Sequence, residues 1–103
     1  MYAISFDLDT EALKKHYPNA SWNNAYEDIR KTLADHHFER QQGSVYFGDP
    51  DKVTAVTTVL AVQDLARTYN WFWPAVSDIR MLRIEENNDL MPAIEQAGED
   101  DVE

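Results

Sequence analysis

The sequence predicts an α+β fold of the ferredoxin-like kind, a βαββαβ chain whose antiparallel sheet carries two helices on one face. Three observations predict it. Short runs with strand-like alternation occupy residues 2–6, 38–41, 44–47 and 76–85. Two longer segments, about residues 22–36 and 53–69, carry apolar side chains at helical spacing. The resulting order, strand, helix, strand, strand, helix, strand, closes one sheet through right-handed crossovers. A chain of 103 residues has room for one such core.

The first strand sets Tyr2, Ile4 and Phe6 on one face and Ala3, Ser5 and Asp7 on the other. The small face lets another backbone approach closely, and the strand ends by presenting a carboxylate there; Asp9 follows two residues on. Lys14, Lys15, His16, Pro18 and Asn19 read as a polar linker, and Ser21 as an N-cap. Trp22, Tyr26, Ile29, Leu33 and His36 form the apolar stripe of the first helix. Two strands then join across Gln42 and Gly43, and Gly48, Asp49, Pro50 and Asp51 break the pattern. Asp51 is the expected cap of the second helix and Asn70 its stop. The β-branched content of residues 53–62 argues for strand on propensity, but the length and spacing of the run argue for helix. Trp71, Phe72, Trp73 and Pro74 read as an aromatic plug.

In the last strand Ile79 and Met81 share one face, and Leu82 and Ile84 the other. Helices on one side of the sheet cover only one of these pairs. A second subunit packing sheet against sheet is the simplest cover for the other, which predicts a two-fold homodimer.

Composition narrows the class. The absence of cysteine removes disulfides and cysteine-based zinc sites. No apolar run approaches a membrane span and the first strand carries no signal-peptide pattern, so the expectation is a soluble cytoplasmic protein with no membrane partner. The net charge of -10 is unusual for a protein that meets phosphates. Its position resolves part of the conflict, since residues 85–103 hold eight acids and no Lys or Arg, whereas residues 1–84 hold 11 acids against 9 bases. A folded domain over residues 1–85 and a solvated, weakly ordered acidic tail over 86–103 are therefore expected.

Four segments in matching order, Met1-Tyr-Ala-Ile-Ser-Phe-Asp-Leu-Asp9, Asn24-Ala-Tyr-Glu-Asp-Ile-Arg30, Gln42-Gly-Ser-Val-Tyr46 and Val76-Ser-Asp-Ile-Arg80, resemble the virulence-associated protein D family. That family is similar in turn to the small CRISPR-associated endoribonucleases. The resemblance spans about residues 1–85. It implies a ferredoxin-like homodimer that cleaves RNA internally, acts as the toxin of a toxin-antitoxin pair linked to virulence, and meets a cognate antitoxin protein. It further implies that Asp7 faces its two-fold mate at a divalent-metal site and that Ser44 lies near that acid. Asp9 has no firm counterpart and is carried only as a supporting group beside Asp7.

The chemistry stands on its own terms. Magnesium takes oxygen ligands, usually one or two carboxylates with substrate phosphates and waters, and two-fold symmetry doubles a single Asp7. Two such carboxylates repel unless a proton or cation lies between them, so the arrangement creates metal affinity. Ser44 would orient a water or a phosphate oxygen. Lys14, Lys15, Arg40, Arg80 and Arg83 are the cations best placed for phosphates, with Lys14, Arg40 and Arg80 the chosen substrate-binding set. Arg80 and Arg83 differ in strand parity and cannot share a face.

Each residue also has a plainer reading: a turn cap for Asp7, a turn hydroxyl for Ser44, helix-end capping for His36 and His37, and core packing for the Trp71–Trp73 cluster rather than base stacking. His16, His36 and His37 are the alternative machinery for a metal-free reaction through the RNA 2′-hydroxyl. The competing function is a non-catalytic dimeric scaffold that binds nucleic acid or protein. A small-molecule sensor lacks support because no glycine-rich phosphate loop is present.

Overall fold

The computed structural model describes residues 1–100. Strand β1 (Tyr2–Leu8) runs through a four-stranded antiparallel sheet with β2 (Phe38–Gln42), β3 (Val45–Gly48) and β4 (Val76–Arg83), in the order β2-β3-β1-β4. This is the sheet order of the expected ferredoxin-like fold. Ile4 lies opposite Tyr46 on one side and Met81 on the other, and Phe6 opposite Ile79. Because successive residues alternate faces, those five point toward the helices, while Ala3, Ser5, Asp7, Val45, Phe47, Asp78, Arg80 and Leu82 share the other face. Leu82 is thus the apolar residue that β4 leaves on the open side, 42% exposed, on the same face as the half-buried Val45 and Phe47.

Under the helices, Ile4, Phe6, Leu13, Ile29, Leu33, Phe38, Tyr46, Leu65 and Phe72 form one buried cluster. Apolar burial of this kind is the main favourable term for a domain of this size. Gly48 permits a close approach within it: a Cβ there would lie 2.8 Å from the Val53 side chain.

The expected polar linker is instead a helix, α1 (Thr10–His16). Asp9 caps it by accepting from the Ala12 N–H at 2.9 Å, Glu11 lies in its first turn, and Lys14, Lys15 and His16 lie in its last, each on the favourable side of the helix dipole. Leu13 is its single buried anchor, too few apolar positions for a periodicity to show.

The expected helix over residues 22–36 is divided into a 3-10 turn, Trp22–Asn24, and α2 (Ala25–Asp35). Ser21 makes no side-chain cap; its backbone N–H donates to Asn19 Oδ1 and its carbonyl accepts from Asn24. His37 adopts a left-handed conformation, φ 68°, that turns the chain into β2.

Helix α3 (Ala55–Thr68) confirms the preference for helix, but its cap is Thr54. Thr54 and Thr57 satisfy each other's backbone N–H groups in a capping box, whereas Asp51 belongs to the preceding turn, donating its N–H to Asp49 Oδ1. The helix stops at Thr68 with Tyr69 as C-cap, before Asn70. The aromatic plug is a single turn, α4 (Phe72–Ala75). Trp71 and Phe72 are buried, with the Trp71 ring centroid 5.4 Å from that of Tyr17, 5.2 Å from that of Tyr69 and 6.1 Å from that of Phe72, but Trp73 is 83% exposed.

Part of the expected weakly ordered tail is helical, α5 (Met91–Asp100), with residues 91–99 all exposed; residues 86–90 before it are irregular, and the tail's last residues, 101–103, lie outside the described residues. The particle measures 55 × 34 × 19 Å. Among the described residues no helix is long and apolar enough to cross a membrane.

Candidate active site

Asp7 stands where the β1–β4 ladder ends. It lies directly opposite Asp78, and the register shifts between Asp7 and Leu8, a bulge of the kind that re-aims side chains at strand ends. Ser77 Oγ donates to the Asp7 backbone carbonyl at 3.1 Å, and the Asp9 N–H donates to the Ala75 carbonyl at 2.7 Å, so backbone bonds hold the turn on both sides of the acid. Asp7 itself is exposed.

Across the ladder, Arg80 Nε donates to both Asp78 oxygens at 3.2 and 3.1 Å. That bond holds the Arg80 guanidinium above its ordinary pKa. Arg80 lies opposite Ser5, so Ser5, Asp7, Asp78 and Arg80 form one polar group on the open face. Directly opposed like charges on a sheet are unfavourable, and Arg80 relieves the pair from one side only.

The other chosen residues lie elsewhere. Phe6 N–H donates to the Ser44 carbonyl at 3.1 Å, which brings the turn serine next to the residue preceding Asp7. Ser44 nevertheless lines a recess on the helical side, about 190 Å³, together with Tyr26, Glu27, Arg30, Arg40 and Tyr46. Arg40 lies opposite Tyr46 in the β2–β3 ladder and donates from Nε to the Gly43 carbonyl at 2.9 Å. Lys14 sits on α1, 5.3 Å over the Trp22 ring and 3.6 Å from Glu11. The structure therefore brings Asp7 together with Arg80, and Ser44 together with Arg40, and sets Lys14 apart from both.

Asp9 is engaged as the α1 cap. His36 Nε2 pairs with Asp64 Oδ2 at 2.8 Å, and this bond, followed by one from Thr68, holds the Asp64 carboxyl below its ordinary range. His36 and His37 precede β2, whose Phe38 lies opposite Gly48, at the end of the sheet away from Asp7. Trp71 and Phe72 are occupied in the core.

Sequence reading missed Asp78, Tyr26 and Arg30. Asp78 acquires meaning only through the register that sets it against Asp7, and no local motif marks that pairing. Among the described residues no cluster of three or more His, Asp or Glu could hold a metal. One chain offers the two acids of the open face, a hard-oxygen donor set of the size magnesium uses when substrate phosphates complete its shell.

Fold and site together define a class: an α+β protein with the ferredoxin-like strand order and an acid at the end of its first strand. The family described as CRISPR associated protein Cas2 matches over residues 1–91. Endoribonuclease VapD 2 of Riemerella anatipestifer is 50% identical over 94 residues, covering 91% of this chain and 99% of that protein. An endoribonuclease VapD homolog of Helicobacter pylori is 55% identical over 94 residues, with 91% and 96% covered. Endoribonuclease VapD of Dichelobacter nodosus is 38% identical over 97 residues, with 94% and 100% covered. The chain belongs to the VapD family, within the Cas2-like group, as the four sequence segments indicated.

Proposed function

We propose that this protein is an endoribonuclease that hydrolyses RNA phosphodiester bonds in the cytoplasm as a two-fold homodimer, serving as the toxin of a toxin-antitoxin pair linked to virulence. The names of its relatives support the reaction class. The observation that carries the site is the exposed Asp7 set opposite Asp78 on the uncovered face of the sheet. Leu82 on the same face supplies apolar surface for a second copy, and an antitoxin protein would compete for that surface or for the RNA path.

In this reading Asp7 takes a proton from the attacking water as its oxygen bonds to phosphorus, the bond from phosphorus to the leaving ribose oxygen breaks, and that oxygen takes a proton from protonated Asp7 or from solvent water. Arg80 faces a non-bridging phosphate oxygen, and Asp78 keeps its guanidinium in place by the bonds described above. Ser44 donates to a phosphate oxygen on the other side of the sheet end. Asp7 of each protomer, with Asp78 beside it, would hold magnesium or another divalent cation, which when bound polarises a phosphoryl oxygen and acidifies a water.

Cleavage of RNA by purified wild type and Asp7→Ala, with and without magnesium, tests the proposal. The expected result is a loss of about a hundredfold or more in the variant. Equal rates for the two proteins would overturn the role of Asp7. An intact dimer that binds RNA or protein but cuts nothing would establish the non-catalytic scaffold instead.

A further inference from the structure

We infer that the recess between the start of α2 and the β2–β3 turn is a nucleotide subsite, which takes one phosphodiester of the substrate on Arg30 and Arg40 and the adjoining base on Tyr26. The inference rests on the nuclease reading and states where the RNA strand runs after it leaves Asp7.

Two arginines from different elements meet here. Arg30 comes from α2 and is gripped through Nε and Nη2 by the two oxygens of Glu27, at 2.8 and 2.5 Å. Arg40 comes from β2 and is fixed through Nε by the Gly43 carbonyl. Each guanidinium is thus oriented while keeping further donors for an anion, the geometry that suits phosphate. Both act on Tyr46: burial raises its phenol pKa, and Arg40 followed by Arg30 are the charges that oppose the rise. Glu27 neutralises one of the two cations, so the recess keeps one net positive charge in a chain that is strongly negative overall.

Tyr26 adds the apolar part. It precedes Arg30 by one helical turn, lines the same recess and is 40% exposed, a platform for an unpaired base. Ser44 contributes a hydroxyl donor to the same wall. At about 190 Å³ the space is smaller than the cavities that enclose whole drug-sized ligands, which fits a segment of a continuous chain better than a free cofactor.

The recess also connects to the reactive end of the sheet. Ser44 is hydrogen-bonded to Phe6, the residue before Asp7, and adjacent Cα atoms are only about 3.8 Å apart. A strand passing over this end from the open face therefore meets Asp7 first and Ser44 with its two arginines next.

The test is equilibrium binding of a labelled single-stranded oligoribonucleotide to the Asp7→Asn protein over a salt series, with cleavage by the parent protein measured alongside. Adding Arg30→Gln and Arg40→Gln should weaken binding and flatten the slope of log K against log salt by about one. Tyr26→Ala should weaken binding about tenfold with the slope unchanged, and Tyr26→Phe should restore it. Lys31→Gln, on α2 but outside the recess, should change neither quantity. If the parent cuts RNA and the recess variants, melting as the parent does, keep its affinity and slope, the subsite is wrong and the nuclease reading survives. If the parent neither binds nor cuts RNA, the nuclease reading fails and takes the subsite with it.

Discussion

On the helical side of the sheet, Ile4, Phe6, Phe38 and Tyr46 are at most 3% exposed, and they interlock with Leu13, Ile29, Leu33, Leu65 and Phe72. On the opposite side, the same strands present Ser5, an acid facing an acid, an arginine and a half-exposed leucine. The first surface can be explained by the stability of a single chain. The second cannot, because Asp7 opposite Asp78 is a repulsive pair and Leu82 gains nothing from water. Features that a monomer's stability does not require are the ones that the proposed reaction and the proposed second copy would use.

The largest expected effect lies on the covered side. Phe6→Ala should lower unfolding free energy by about 3–5 kcal/mol, a large share of the 5–15 typical of such domains, measured by urea denaturation. Asp7→Ala, one residue further along the same strand, should leave the urea midpoint unchanged or slightly raised, since it removes the charge facing Asp78, while RNA cleavage falls. If the two variants lost stability alike, the division between the faces would be wrong. Next in size, Leu82→Glu should weaken self-association about a hundredfold or more, since a sheet-to-sheet interface would bury an unpaired charge. Sedimentation would read this, and a dimer of undiminished affinity would place the interface elsewhere.

Periodicity made the two faces legible in the sequence. Tyr2, Ile4 and Phe6 alternate with Ala3, Ser5 and Asp7, and the structure keeps that division. The parity argument also holds: Arg80 lies opposite Ser5 on the open face, whereas Arg83 lies opposite Tyr2 on the other. Local signals failed where several residues could play one part. Asp51 and Thr54 are both capping types, and only the Asp49 turn, which engages the Asp51 N–H, decides for Thr54. Helix α1 hides because one buried leucine makes no pattern. Asp78 and the Tyr26–Arg30–Arg40 recess depend on register and crossover packing, which bring together residues as distant in sequence as Asp7 and Asp78 only after the sheet has formed.

A smaller effect tests the repulsive pair directly. Asp7→Asn keeps the shape of the side chain and removes the charge facing Asp78, so the melting midpoint should rise by about 1–3 °C while cleavage falls. An unchanged midpoint would mean that the two acids do not repel, and a lowered one that Asp7 contributes to folding after all. The opposite movement of stability and activity is the signature expected of an acid retained for chemistry.

The least conspicuous difference between the faces is their pH dependence. Under the helices, the Tyr17 phenol is pushed up to about 12, first by burial, then by donating to Asp28 Oδ2 at 2.7 Å and by the Asp28 charge. An unfolded tyrosine titrates near 10. Between these values the unfolded chain binds fewer protons than the folded one, so stability is fully present below about pH 10 and declines as pH rises toward 12. Tyr17→Phe should reduce that alkaline decline in a series of melts; Tyr46, raised by burial as well, supplies part of what remains. Between the carboxylate range, where loss of the His36–Asp64 bond also weakens the fold, and pH 10, groups on the open face can therefore limit RNA cleavage without Tyr17 changing stability. An alkaline loss of activity that coincided with the melting curve, and moved with it in Tyr17→Phe, would show that the covered face governs both and that the two surfaces are not independent.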